Sequence, residues 1–350
     1  MCRKIILTDR QTDRQTDRQT DRQTDRQTTK NIGIVFGVCS MLLFGCLGNV
    51  ENLHTSSSQR MSNGELVEIL CDGEYVTEVK EETIIIPGLK QEYKFLYISD
   101  LHIIIPNEEV SQMYVETVQQ RFNEMAINQN GYKAWEIYDK LIESINKTDI
   151  DGVLMGGDML DYLSCANWSH MEQGLVSLTV PYLFATADHD TQPYYTDYIG
   201  EAKIQLQNSI SQGLVDTLEY DEFIILSINE STSNLNELVL GEIEKVFEIG
   251  KPVILVIHVP LNSSVDNGLA KTSENCWGGR KLLLGEGCTY YNEQVGKLLQ
   301  MINASDTPVV AVLGGHLHFE YICMLNQNVK QYIFEPAYTG EVQLFTIKGE

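Results

Sequence analysis

Tyr93-Lys94-Phe95-Leu96-Tyr97-Ile98-Ser99-Asp100-Leu101-His102 is the stretch from which the rest of the chain can be read. Its apolar, aromatic-rich core predicts a strand over 93–98. An aspartate and a histidine follow at once, two positions apart. Four later segments repeat that plan. A strand expected at 151–155 runs into Gly156-Gly157-Asp158, and one at 181–186 into Asp188-His189-Asp190. One at 252–257 ends on His258, and one at 308–313 leads to His316-Leu317-His318. In α/β sheets the loops at the carboxyl ends of strands converge in a crevice. Five strands ending in Asp or His therefore point to one site.

The pattern between these strands is α/β. Further strands are expected at 82–86 and 222–228, and helices at 108–127, 132–146, 168–179, 234–248 and 289–302. Short apolar runs interleaved with longer amphipathic ones give layered sheets and helices. The last part returns to strands, at Tyr321 to Met324, Gln331 to Phe334 and Val342 to Ile347, so a partly antiparallel sheet is expected rather than a purely parallel one.

Any one of these residues has a plain explanation. A lone histidine after a strand is usually a loop residue satisfied by its neighbours, and Asp in a Gly-Asp turn usually caps its own backbone. Their joint occurrence carries the signal: of seven histidines, five stand at strand ends, and only His54 and His170 do not.

Composition bounds the function. The formal charge is -24, and beyond residue 48 there are 17 basic against 44 acidic residues. Such a surface repels a phosphate backbone, so no nucleic-acid partner is expected and a nuclease reading is weakened. The eight cysteines form no CxxC pair, which removes zinc-ribbon and thioredoxin-like readings. Cys276 and Cys288 flank a Gly-rich loop and could pair in an exported protein; free, partly buried thiols are the alternative.

The N-terminal part divides into three. Residues 1–30 contain five copies of Thr-Asp-Arg-Gln over 8–27. With no apolar residue they cannot bury a face, and disorder is expected. A four-nucleotide repeat read in triplets gives this period, which points to a mis-set translation start. Residues 31–48 hold an uncharged run from Ile32 to Gly48 behind Lys30. A positive flank with a short apolar core is an export signal; Leu43-Phe44-Gly45-Cys46 resembles a lipoprotein box, with lipid on Cys46, and an uncleaved membrane anchor is the alternative. Residues 49–64 read as a polar tether and 65–350 as one globular domain. An exported protein of the cell envelope, membrane-tethered or a lipoprotein, is expected.

Asp100-x-His102, Gly157-Asp158-x-x-Asp161, Asp188-His189-Asp190, His258 and Gly315-His316-x-His318 resemble the motifs of the calcineurin-like metallophosphoesterase superfamily. The resemblance implies a four-layer α/β/β/α sandwich, two mixed sheets flanked by helices. It implies hydrolysis of a small phosphate ester, monoester or diester, at a two-metal centre with a bridging hydroxide nucleophile and a histidine acid. One metal would be held by Asp100, His102, Asp158 and His318, and the other by Asp158, Asp188, His258 and His316. His189 would be the acid, Asp190 would orient it, and Asp161 would support the ligands from behind. Mixed His and carboxylate ligands suit Mn, Zn or Fe.

Asp188 stands where the family has asparagine. Aspartate keeps an oxygen for the metal, loses the amide donor and adds a negative charge, so reduced or altered activity is expected. A non-catalytic envelope protein that binds metal or phosphate is the rival reading. The 57 residues between Asp100 and Asp158 are enough for two helices over the site, and the loop 262–287, which contains Arg280, is long for a connection.

Overall fold

The computed structural model describes residues 60–198, 207, 213–229 and 235–350. The expected TDRQ segment (1–30), the signal or anchor segment (31–48) and most of the tether (49–64) lie outside them. The tether's last residues belong to a helix, α1 (Asn63–Leu70), which Ser62 and Glu65 close with a reciprocal capping box.

Eleven strands are described: β1 Glu78–Ile85, β2 Tyr93–Ile98, β3 Gly152–Met155, β4 Tyr182–Phe184, β5 Val215–Glu219, β6 Ile224–Ile228, β7 Val253–Val256, β8 Val309–Gly314, β9 Tyr321–Met324, β10 Lys330–Ile333 and β11 Glu341–Lys348. The remaining helices are α2 Val115–Met125, α3 Ala134–Ile145, α4 Cys165–Ser177, α5 Asp188–Thr191, α6 Glu237–Glu248, α7 Gly268–Cys276 and α8 Glu293–Asn303. The strands form two sheets, in the order β1-β11-β2-β3-β4 and β5-β6-β7-β8-β10-β9. Both are mixed. In the first, β11 lies parallel to β1 and antiparallel to β2, while β2, β3 and β4 run parallel. In the second, β6, β7, β8 and β10 run parallel, with antiparallel β5 and β9 at the edges.

Strand alternation sorts the core into three slabs. Along β2, Leu96 and Ile98 face the helices with Val153 and Met155, whereas Phe95 and Tyr97 face the other sheet. Along β7, Val253 and Leu255 pack with Val239, Ile243 and Leu298 of α6 and α8, whereas Ile254 and Val256 point to the middle slab. Each central strand is thus buried on both faces, and β2, β3 and β7 read as unbroken apolar runs for that reason. Helix α3 answers with Ala134, Ile137, Tyr138, Leu141, Ile142 and Ile145 on one side, the i, i+3, i+4, i+7 stripe of a helix lying on a sheet. Helices, sheet, sheet, helices is the four-layer α/β/β/α sandwich expected.

Differences from expectation fall on half-exposed elements. The helix expected at 108–127 begins only at 115, after a 3-10 turn over Gln112–Tyr114. Strand β5 (Val-Asp-Thr-Leu-Glu) and helix α7, inside the long loop 262–287, carry too little apolar pattern to be read alone. Cys276 and Cys288 are half-buried thiols with no disulfide between them.

Candidate metal centre

The ends of β2 and β3 continue to pair past the last strand residue, and this sets the site. Gly156 N–H donates to Ile98 O, Asp100 N–H to Gly157 O, His102 N–H to Asp158 O and Ile103 N–H to Met159 O, all within 2.8–3.0 Å. Asp100, His102 and Asp158 are thereby laid side by side. From the second sheet, β7 and β8 bring His258, His316 and His318; Gly315 N–H donates to His258 O, and His316 N–H to both Asp100 carboxylate oxygens at 3.0 Å. Asp100, His102, Asp158 and His258 are buried.

The backbone is bent to achieve this. Among the described residues only five other than glycine have positive φ: Asp100 (54°), His102 (51°), Asp158 (49°), His316 (68°) and His318 (52°). Each is a residue the motifs singled out. Such conformations cost about 1–3 kcal/mol apiece and persist where the surroundings demand them, typically at functional sites. Two glycines make room. Gly157 has φ 91°, and a Cβ there would lie 2.7 Å from His258 Nδ1; a Cβ on Gly315 would lie 2.2 Å from Asp100 Oδ2.

Two clusters result, each with ligand atoms mutually close enough to share one ion: Asp100, His102, His318, and Asp158, His258, His316. Asp158 Oδ2 joins them, 3.1 Å from His258 Nε2 and 3.9 Å from His102 Nε2. Asp188, expected in the second set, opens α5 but belongs to neither cluster.

Tautomers decide what the site can hold. His258 Nδ1 lies 2.9 Å from Gly156 O, which can only accept, so Nδ1 carries the proton and Nε2 faces inward. His102 Nδ1 lies 3.1 Å from Asp161 Oδ1, and its Nε2 faces His318 Nε2 at 3.2 Å. Burial lowers the His102 pKa despite Asp161, so the ring is neutral with an inward lone pair. Burial would also lower His258, but the Asp158 carboxylate overrides it and pushes the ring up to about 10; burial and the His258 charge push His316 down to about 3. The site favours a positive charge between Asp158 and the histidines, the preference a divalent cation meets. Among the described residues, Asp158 Oδ1, His316 Nε2 and His318 Nδ1 are buried with no hydrogen-bond partner. Converging donor atoms, unspent polar capacity and a His/Asp set fit a metal pair.

The groups behind the ligands differ in part from expectation. Asp161 is fully buried and supports His102, as expected. Its other partner is Arg121 of α2, whose Nη2 donates to Oδ1 at 2.6 Å and Nε to Oδ2 at 2.9 Å. Burial would raise the Asp161 carboxyl; Arg121 and His102 instead hold it well below the usual carboxylate range. His102, Asp161 and His189 also converge, but there the guanidinium supplies the positive charge. Asp190 does not orient His189. Its oxygens accept the N–H groups of Asp158, Leu160 and Ala187, each at 2.9 Å, because the carboxylate turns back over the start of α5 as a cap. His189 Nδ1 donates instead to the backbone carbonyl of Asp161.

Aromatic rings surround the histidines: Tyr194 is 5.3 Å from His189, Tyr290 5.6 Å from His316, and Trp277 and Tyr338 5.8 Å from His318. Trp277 closes α7, and its indole N–H donates to Leu317 O at 3.1 Å, so the long loop does reach the site. The motifs gave no sign of Arg121 or of these rings. Arg121 stands among Gln119, Gln120 and Asn123 with no pattern to mark it.

The sequence model of the calcineurin-like phosphoesterases matches residues 93–320. The chain belongs to this family. It is a phosphoric ester hydrolase, and the family implies a dinuclear divalent metal centre and small phosphorylated substrates. No curated protein matches it. Solved structures similar to it include a dimetal phosphatase from Danio rerio, at 10% identity and TM-score 0.46, covering 71% of this chain and 88% of that one. A purple acid phosphatase from yellow lupin (Lupinus luteus) has 13% identity and TM-score 0.41, over 73% of this chain and 46% of that one. A phosphopantetheinyl hydrolase from Mycobacterium tuberculosis has 10% identity and TM-score 0.35, over 71% and 91%.

Proposed function

We propose that this phosphoesterase hydrolyses small phosphate esters at a two-metal centre. Asp100, His102, Asp158 and His318 hold one ion, and Asp158, His258 and His316, with Asp188, hold the other. The observation that supports this best is the pair of His/Asp clusters meeting at Asp158 Oδ2. Zn, Mn and Fe all suit the donors. When bound, the ions supply positive charge to the phosphoryl oxygens and a nucleophile from water at neutral pH.

The chain's own residues do the rest. The carbonyl behind His258 and the carboxylate behind His102 fix each Nδ1–H, leaving each Nε2 to a metal. His189, anchored through Nδ1 to Asp161 O, keeps Nε2 for a proton passed to the leaving oxygen. Asp190 contributes by holding the 158–160 backbone in place. The net charge of -24 favours small substrates over nucleic acid.

The test is turnover of p-nitrophenyl phosphate and of its bis(aryl) diester, with metal content measured alongside. His189→Ala should lose about 10²–10⁴-fold in turnover with metal content unchanged. Full occupancy with no turnover by the unaltered chain would favour a metal- or phosphate-binding role instead. We also propose export and tethering at the membrane through residues 31–48, supported by the uncharged run behind Lys30; among the described residues no helix is long and apolar enough to cross a membrane. Fractionation of the full chain beside Cys46→Ala checks this: a lipoprotein leaves the membrane fraction when Cys46 is lost.

A further inference from the structure

We infer that Arg121 is a positioning residue of the metal centre, acting through Asp161 to fix the ring of His102; this rests on the two-metal reading above. The helix that carries it lies in the stretch between the first two motifs, so that stretch is part of the site's machinery and more than a cover.

The chain of contacts is short and closed. Arg121 meets Asp161 with two parallel N–H···O bonds, the fork geometry that a guanidinium offers a carboxylate. Asp161 Oδ1 takes both the shorter of these and the proton of His102 Nδ1. Asp161 is fully buried, and the Arg121 side chain is 14% exposed. Gripped at both oxygens by Arg121, the carboxylate is held with Oδ1 toward His102 Nδ1, which turns Nε2 of the ring toward His318 and Asp158.

Arg121 is itself held on its other side. Its guanidinium lies 5.8 Å from the centre of the Tyr195 ring, and Tyr195 O accepts the N–H of Ser111 at 2.8 Å. Val110 bridges to Thr196 next door. The segment before α2 and the segment after His189 are therefore stitched together around one arginine. Its Nε and Nη2 are both committed to Asp161, which places their action on the carboxylate behind His102. Lysine offers a single charged point and no fork, so it can replace the charge but not the geometry.

The experiment is a titration of the full chain with Zn2+ against a chromophoric chelator. Arg121→Ala is expected to weaken one of two Zn2+ ions by about 10–100-fold, the range for outer partners of metal ligands, and to leave the other within twofold. Guanidinium ion at millimolar concentration should restore the lost affinity in Arg121→Ala and not alter the unaltered chain. If Arg121→Ala does not fold, Arg121→Lys serves: the same ion should weaken at least threefold. Two Zn2+ ions bound as tightly in either folded variant as in the unaltered chain, whatever the change in unfolding midpoint, would overturn the role of Arg121 alone. No Zn2+ bound by the unaltered chain would overturn the two-metal reading and this inference with it.

Discussion

Around His102 the bracing groups are side chains drawn from distant parts of the chain, whereas His258 leans directly on a backbone carbonyl of the neighbouring strand end, whose turn a distant carboxylate holds. His102 leans on Asp161, and Asp161 on Arg121 of α2. His258 leans on Gly156 O, and the adjoining Asp158 turn is held by N–H groups that Asp190 collects. The first brace depends on two charges staying paired in a buried place. The second depends on a loop keeping its backbone path. Losing a group on either side should therefore fail differently: the first in metal affinity, the second in stability.

Asp190→Ala should show the larger effect. It leaves the N–H groups of Asp158, Leu160 and Ala187 without their acceptor, and each orphaned buried donor costs about 1–3 kcal/mol. A loss of about 3–5 kcal/mol is expected in urea unfolding of the metal-free chain. A loss under 1 kcal/mol would show that the turn holds its path without Asp190, and the contrast between the two halves would break.

The smaller effect is at Asp188, which sharpens the contrast from the substrate's side. Burial, then the charge of Asp188, pushes the Tyr194 phenol up. Asp188→Asn removes a negative charge and restores an amide donor. Turnover of an aryl phosphate should rise severalfold, while affinity for the ion at His258 falls. Unchanged or lower turnover would mean that the aspartate is not what limits the reaction.

Much of this was legible in the sequence. Central strands buried on both faces read as plain apolar runs, which is why β2, β3, β7 and β8 were found within a residue or so. The residues of the two clusters were legible because each follows a strand end closely. The third motif misled at Asp190: the family pattern joins it to His189, yet the folded chain gives its carboxylate to three N–H groups. Asp161 does meet His102, but Arg121 was not foreseen, since its partner lies 40 positions away and nothing periodic marks it. Edge strand β5 and helices α1 and α7 were missed for a related reason. They are short and half-exposed, and their pairing partners, more than their own pattern, define them.

The central claim is that two ions are held by two clusters sharing Asp158. Metal content per chain, measured by elemental analysis after equilibration with Zn2+ and removal of the excess, tests it most directly. The unaltered chain should hold two ions, His102→Ala and His258→Ala one each, and Asp158→Ala none or a weakly bound trace. A single ion in the unaltered chain, or two ions retained in Asp158→Ala, would contradict the account.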